Sequence, residues 1–108
     1  MKINIVGITA LAIMEAEKLG HTYIGTEHFL LSVCGLLDPT GNLRKKVYNE
    51  IVSYIGKGSP TALNKELITP TVKKVLSESI NSLDDLFEKI CTGDTTAKLI
   101  LKRMGYNI

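Results

Sequence analysis

The stretch from Phe29 to Leu37 limits the possible folds more than any other part of the sequence, because apolar residues occupy nearly every position around a helix drawn through it. A helix that is apolar on all sides needs other elements to cover it. Thr26 is placed to cap its start, with Glu27 in the first turn, and Asp38-Pro39 form a turn after it. We therefore predict a buried central helix. Its core residues are expected to be Leu30, Leu31, Val33, Cys34 and Leu37.

Five further segments carry apolar residues at the three- and four-residue spacing of a helix face. They cover about residues 3–19, 43–55, 70–80, 83–91 and 95–104. Thr69-Pro70 and Asp94 are placed to begin two of these helices. No convincing strand is found, so we predict an all-α fold, a compact multi-helix bundle. It forms a single domain over residues 1–108, with a first unit at about 1–56, a loop at about 57–67 and a second unit at about 68–108.

The N-terminal run from Ile3 to Met14 is uncharged and has the outline of a signal peptide. Its helical pattern continues to Gly20, however, so we interpret it as a core helix that is too short to span a membrane. Cys34 and Cys91 are the only cysteines and lie in apolar helical patterns, which is typical of buried thiols in a reducing compartment. We predict a cytoplasmic protein with no membrane partner.

Residues 19–31, LGHTYIGTEHFLL, resemble the repeat signature L-G-H-x-Y-I-G-T-E-H-L-L-L of the N-terminal domains of Clp-type AAA+ unfoldases. Residues 55–59 and 68–76 resemble the link between the two repeats of that family and the start of its second repeat. The resemblance implies two pseudo-repeated helical units that receive substrate or adaptor proteins for a Clp ATPase ring, present in the same chain or as a partner. Only one G-T-E-H element is present, so the chain resembles a shortened, divergent member.

The resemblance also implies a set of ligand-binding residues. In Gram-positive relatives the glutamate that matches Glu27 is among the acidic residues that receive phosphoarginine-marked substrates, where its carboxylate pairs with the guanidinium. Thr26 precedes it, Thr69 matches a threonine of the second repeat, near the equivalent pocket, and Lys2 stands at the position of the first-repeat threonine. The alternative for Glu27 is an exposed carboxylate that only complements the helix dipole.

No group of residues indicates catalysis or a bound cofactor. The segment Gly56–Ser59 lacks the upstream glycine of a phosphate-binding loop and has glycine after its lysine. His21 and His28, with the two cysteines, lack the spacing of zinc ligands. We therefore predict a binding module that is not an enzyme and that holds no metal or cofactor.

The basic residues support one alternative hypothesis, a small helical DNA-binding regulator. The isoelectric point is near 8.5, and Arg44–Lys46 and Lys73-Lys74 form short basic runs. The 13 basic residues are nearly balanced by 11 acidic ones, however, and no polar recognition helix is present. We expect no nucleic-acid partner and a monomeric domain.

Overall fold

The computed structural model describes residues 4–106, except for the side chain of Lys65, and this range contains six α-helices. They are α1 (Ile5–Leu19), α2 (Thr26–Leu37), α3 (Asn42–Tyr54), α4 (Pro70–Leu76), α5 (Leu83–Ile90) and α6 (Thr96–Arg103). A 3₁₀ turn at Lys65–Leu67 precedes α4. The prediction of an all-α bundle is confirmed. Within residues 4–106, no helix has both the length and the apolar character needed to cross a membrane.

The central helix is α2, which packs against α1, α3, α5 and α6. Four of the five predicted core residues, Leu30, Leu31, Val33 and Cys34, are fully buried. The prediction for Leu37 is wrong, since 39% of this residue is exposed. Leu37 lies in the last turn of α2, where Leu36 is exposed as well, whereas the buried part of the helix ends at Cys34.

Two helices of the second half begin at threonine caps. The Thr69 hydroxyl accepts a hydrogen bond from Val72 N at 3.4 Å, as predicted for the start of α4. The prediction that Asp94 caps α6 is wrong by one residue. Thr95 has the extended backbone of a cap, and its hydroxyl accepts from Lys98 N at 3.1 Å.

The C-terminal end of α1 is covered by the loop that joins α3 to α4. Gly20 ends α1 in the left-handed conformation, with φ at 69°. Gly58 N then donates to Leu19 O at 2.8 Å, and Thr61 N donates to Glu17 O at 3.2 Å. The loop therefore lies directly against Gly20. The proposed division of the domain at residues 57–67 stays a prediction.

Candidate functional site

A pocket of about 150 Å³ lies where α2, α4 and α6 begin. The residues that line it are Tyr23, Gly25, Thr26, Glu27, Thr69, Thr71, Asp94, Thr95 and Thr96. The first N–H groups of a helix lack partners within the helix and carry the positive end of its dipole. Three helix starts around one pocket can contribute donors to an anionic group, although the carboxylates of Glu27 and Asp94 line the same pocket.

Backbone contacts between distant segments bring these helix starts together. Ile24 N donates to Leu67 O at 3.0 Å, and Thr69 N donates to Ile24 O at 3.0 Å, so the segments before α2 and α4 run side by side as an isolated parallel bridge. The start of α6 is held by Thr26, whose hydroxyl accepts from Ala97 N at 3.0 Å. These contacts fix the shape of the pocket.

The prediction that Thr26 caps α2 is wrong. Gly25 is the cap residue and Thr26 is the first residue of the helix. The Thr26 hydroxyl bonds to Ala97 N of α6 and makes no capping bond within α2, because the beginnings of the two helices are in contact.

Glu27 is buried, with 1% of the residue exposed, and the alternative interpretation as an exposed carboxylate is wrong. Tyr23 covers it and donates its hydroxyl to Glu27 Oε2 at 2.7 Å. Within residues 4–106, no group donates to Oε1. The carboxylate folds back over Gly25, where an added Cβ would lie 2.2 Å from Oε1. The backbone of Gly25, with φ at −110°, is open to any residue, but a larger side chain there would push the Glu27 carboxylate out of this position.

Tyr23 keeps its proton over the whole physiological range. Burial raises the pKa of its hydroxyl well above 10, and the hydrogen bond to Glu27 and the charge of that carboxylate raise it further. Tyr23 is therefore a permanent donor to Oε2. The other carboxylate oxygen, Oε1, remains an acceptor for a ligand.

Three threonine hydroxyls at the pocket are potential donors. The hydroxyls of Thr26, Thr69 and Thr95 each accept a hydrogen bond from a backbone N–H. A hydroxyl that accepts in this way still has its own proton to donate. The pocket thus combines the carboxylates of Glu27 and Asp94 with hydroxyl donors and three helix starts.

Behind Glu27, two histidines form a buried chain of hydrogen bonds. Gly25 N donates to His28 Nδ1 at 2.9 Å, and the other ring nitrogen of His28, Nε2, lies 2.8 Å from His21 Nδ1. The chain ends at Gly56, whose carbonyl oxygen lies 2.8 Å from His21 Nε2. A backbone N–H can only donate and a carbonyl can only accept, so both imidazoles carry their proton on Nε2. An added proton on either ring would place two N–H groups face to face.

The histidine chain predicts that the domain loses stability in mild acid. Burial, with a smaller contribution from His21, lowers the pKa of His28 from 6.5 to about 3. Between these values the unfolded chain binds one more proton at this residue than the folded chain does, so stability falls as the pH falls. From pH 7 to pH 5 the free energy of unfolding should decrease by about 2 kcal/mol, as measured by urea unfolding at each pH.

The matched control is His28→Gln, which is expected to be less stable overall and to show a smaller change between pH 7 and pH 5. Carboxylates stay ionised across this range, which leaves histidine as the group that titrates. Wild-type stability that is constant from pH 7 to pH 5, or an equal slope in His28→Gln, would contradict the assignment.

The structure brings together three of the four residues predicted for ligand binding. Thr26, Glu27 and Thr69 line the same pocket, although we expected Thr69 near a separate pocket of the second repeat. Lys2 lies outside the described residues. The contribution of α6 was not predicted, although the consecutive threonines Thr95 and Thr96 beside a helix start are a visible signal in the sequence.

The chain is similar to curated proteins over most of its length, and no family model matches it. It is 29% identical over 113 residues to the "ATP-dependent Clp protease ATP-binding subunit ClpA homolog" of Trieres chinensis, covering 87% of the chain and 13% of that protein. It is 35% identical over 82 residues to the "Negative regulator of genetic competence ClpC/MecB" of Bacillus subtilis, and this match covers 68% of the chain and 10% of that protein. It is 32% identical over 87 residues to "Chaperone protein ClpC1, chloroplastic" of Arabidopsis thaliana, and this match covers 73% of the chain and 9% of that protein. The chain spans about a tenth of the length of these relatives.

Proposed function

The chain is a homologue of the Clp ATPase subunits through one domain-sized segment, consistent with their N-terminal domain, and on that premise we propose that it is a non-catalytic module that recruits substrate or adaptor proteins to a Clp ATPase ring. The match covers only a small part of those ATPases. The ring is present in the same chain or acts as a partner.

The pocket at Glu27 is the proposed receptor. The observation that carries this proposal is a buried carboxylate placed where three helices begin. A carboxylate binds a guanidinium through charge-assisted hydrogen bonds, whereas helix starts and hydroxyls bind a phosphoryl group. Phosphoarginine carries both groups on one side chain, so it matches this pocket better than arginine or phosphate alone.

The size of the pocket supports the same proposal. Pockets for whole small molecules usually enclose about 300–1,000 Å³, and this one encloses about 150 Å³. Such a volume suits the end of a single side chain. A marked residue on a larger protein therefore fits the pocket better than a free cofactor does.

The two cysteines support a cytoplasmic location, which is part of the proposal. Both are free thiols, Cys34 being buried and Cys91 half-buried. Burial raises the pKa of the Cys34 thiol to about 12 and that of Cys91 to about 11. Thiols of this kind are poor nucleophiles near neutral pH and persist unpaired in a reducing compartment.

Free phosphoarginine should bind weakly at this pocket, and Glu27→Gln should weaken binding by about tenfold. The variant replaces a charged hydrogen-bond partner worth about 1.5–3 kcal/mol by a neutral one worth about 0.5–1.5 kcal/mol, a difference of about 1–1.5 kcal/mol. Glutamine keeps the size of the side chain and an oxygen for the Tyr23 hydroxyl. Amide shifts in an NMR titration should cluster at residues 25–28, at Thr69 and at residues 95–96.

The matched control is Asp84→Asn, which removes an exposed carboxylate from the first turn of α5, away from the pocket. It should bind phosphoarginine like the wild type. If millimolar phosphoarginine shifts no amide near Glu27, or if both variants lose affinity equally, the pocket is not the receptor.

A further inference from the structure

A second cavity, of about 220 Å³, adjoins the pocket at Glu27. The two share the residues Asp94, Thr95 and Thr96, so the wall between them is the segment that begins α6. Lys98, Leu99 and Lys102 complete the second cavity. The two cavities therefore adjoin across this segment, and together we call them the groove, which extends along α6 as far as Lys102.

The charge of this groove changes sign along its length. The carboxylates of Glu27 and Asp94 line the first cavity, which has no lysine or arginine among its lining residues. The second cavity is lined by two lysines, Lys98 and Lys102, and by a single acidic residue, Asp94. Lys98 and Lys102 lie one turn apart on the same face of α6, and neither forms an ion pair with another residue in the part of the chain that the structure describes.

We propose that the second cavity is a subsite for an acidic side chain next to the residue that Glu27 holds, so that the ligand is a peptide segment with an arginine-type residue flanked by aspartate or glutamate. This inference rests on the proposed function, because it takes the pocket at Glu27 as the site of the arginine-type residue. The guanidinium lies at the acidic end of the groove and the flanking carboxylate at the basic end. Leu99, which is 39% exposed, offers apolar surface to the methylene groups of the flanking side chain.

The test compares three peptides that carry a central phosphoarginine flanked on both sides by glutamate, by alanine or by lysine. Binding is measured by fluorescence anisotropy at low salt, where exposed charges interact most strongly. The glutamate-flanked peptide should bind roughly three- to tenfold more tightly than the lysine-flanked one. The double variant Lys98→Glu/Lys102→Glu should reverse this order, while free phosphoarginine binds it as it binds the wild type.

The matched control is Lys45→Glu/Lys46→Glu, which changes the net charge by the same amount. These exposed lysines lie on α3. Lys46 is close enough to Asp38 for its charge to help lower the pKa of that carboxyl, and Asp38 lies at the end of α2 opposite the pocket. This control should keep the wild-type preference for glutamate.

Equal binding of the three peptides would overturn the inference while leaving the proposed function intact. The inference also fails if Lys98→Glu/Lys102→Glu loses as much affinity for free phosphoarginine as for the peptides, since the phosphoryl group itself would then occupy the second cavity. If free phosphoarginine does not bind at Glu27, the proposed function and the inference both fail.

Discussion

Replacing Leu31 by alanine is expected to lower the free energy of unfolding by about 2–5 kcal/mol. Leu31 is fully buried in the middle of α2, the helix that packs against α1, α3, α5 and α6. Truncation there removes apolar contacts and leaves a cavity that close-packed neighbours fill only in part. Domains of this size are usually stable by about 5–15 kcal/mol, so the loss is a large share of the total. Urea unfolding at pH 7 measures it.

The matched control is Leu36→Ala, the same substitution in the last turn of the same helix. Leu36 is 45% exposed, so its truncation should cost less than about 1 kcal/mol. Similar losses for the two variants would show that α2 is not the buried centre of the domain.

Gly20→Ala should destabilise the domain by about 3 kcal/mol or more, for two physical reasons. The left-handed backbone at φ 69° costs an alanine about 1–2 kcal/mol. An alanine Cβ would also lie 2.3 Å from the backbone carbon of Gly58. The loop that covers the end of α1 would have to move, and the bond from Gly58 N to Leu19 O would be lost.

Gly41→Ala separates these two causes. Gly41 has a similar φ of 81°, but an added Cβ there meets no described atom within 4 Å. It should therefore cost only the backbone term of about 1–2 kcal/mol. Thermal or urea unfolding of both variants compares the two costs, and equal losses would exclude a role for the contact between Gly20 and the loop.

The positions of the helices could be predicted from the sequence because each follows from a local pattern. The apolar spacing and the glycine at the end of α1 predicted a helix at about residues 3–19, and the structure has it from Ile5 to Leu19. Thr69-Pro70 likewise marked the start of α4. The error at Thr26 has a different origin, since the Thr26 hydroxyl bonds to Ala97, 71 residues away. No local pattern contains that contact.

The candidate site was predictable only in part, for the same reason. Glu27 and Thr69 were identified through a resemblance, while their meeting in one pocket depends on the bridge between Ile24 and Ile68. The burial of Glu27 was missed because a helix-start charge usually faces water. Here Tyr23, four residues earlier, covers the carboxylate and donates to it. The part of α6 in the pocket had no counterpart in the sequence motif.

The location of bound phosphoarginine, determined by crystallography of the complex or by intermolecular NOEs, tests the central proposal most directly. We expect the guanidinium beside Glu27 Oε1 and the phosphoryl group among the hydroxyls of Thr69 and Thr95, at the starts of α4 and α6. Phosphoarginine bound at another surface of the domain, or a pocket that stays empty at saturating ligand, would contradict it.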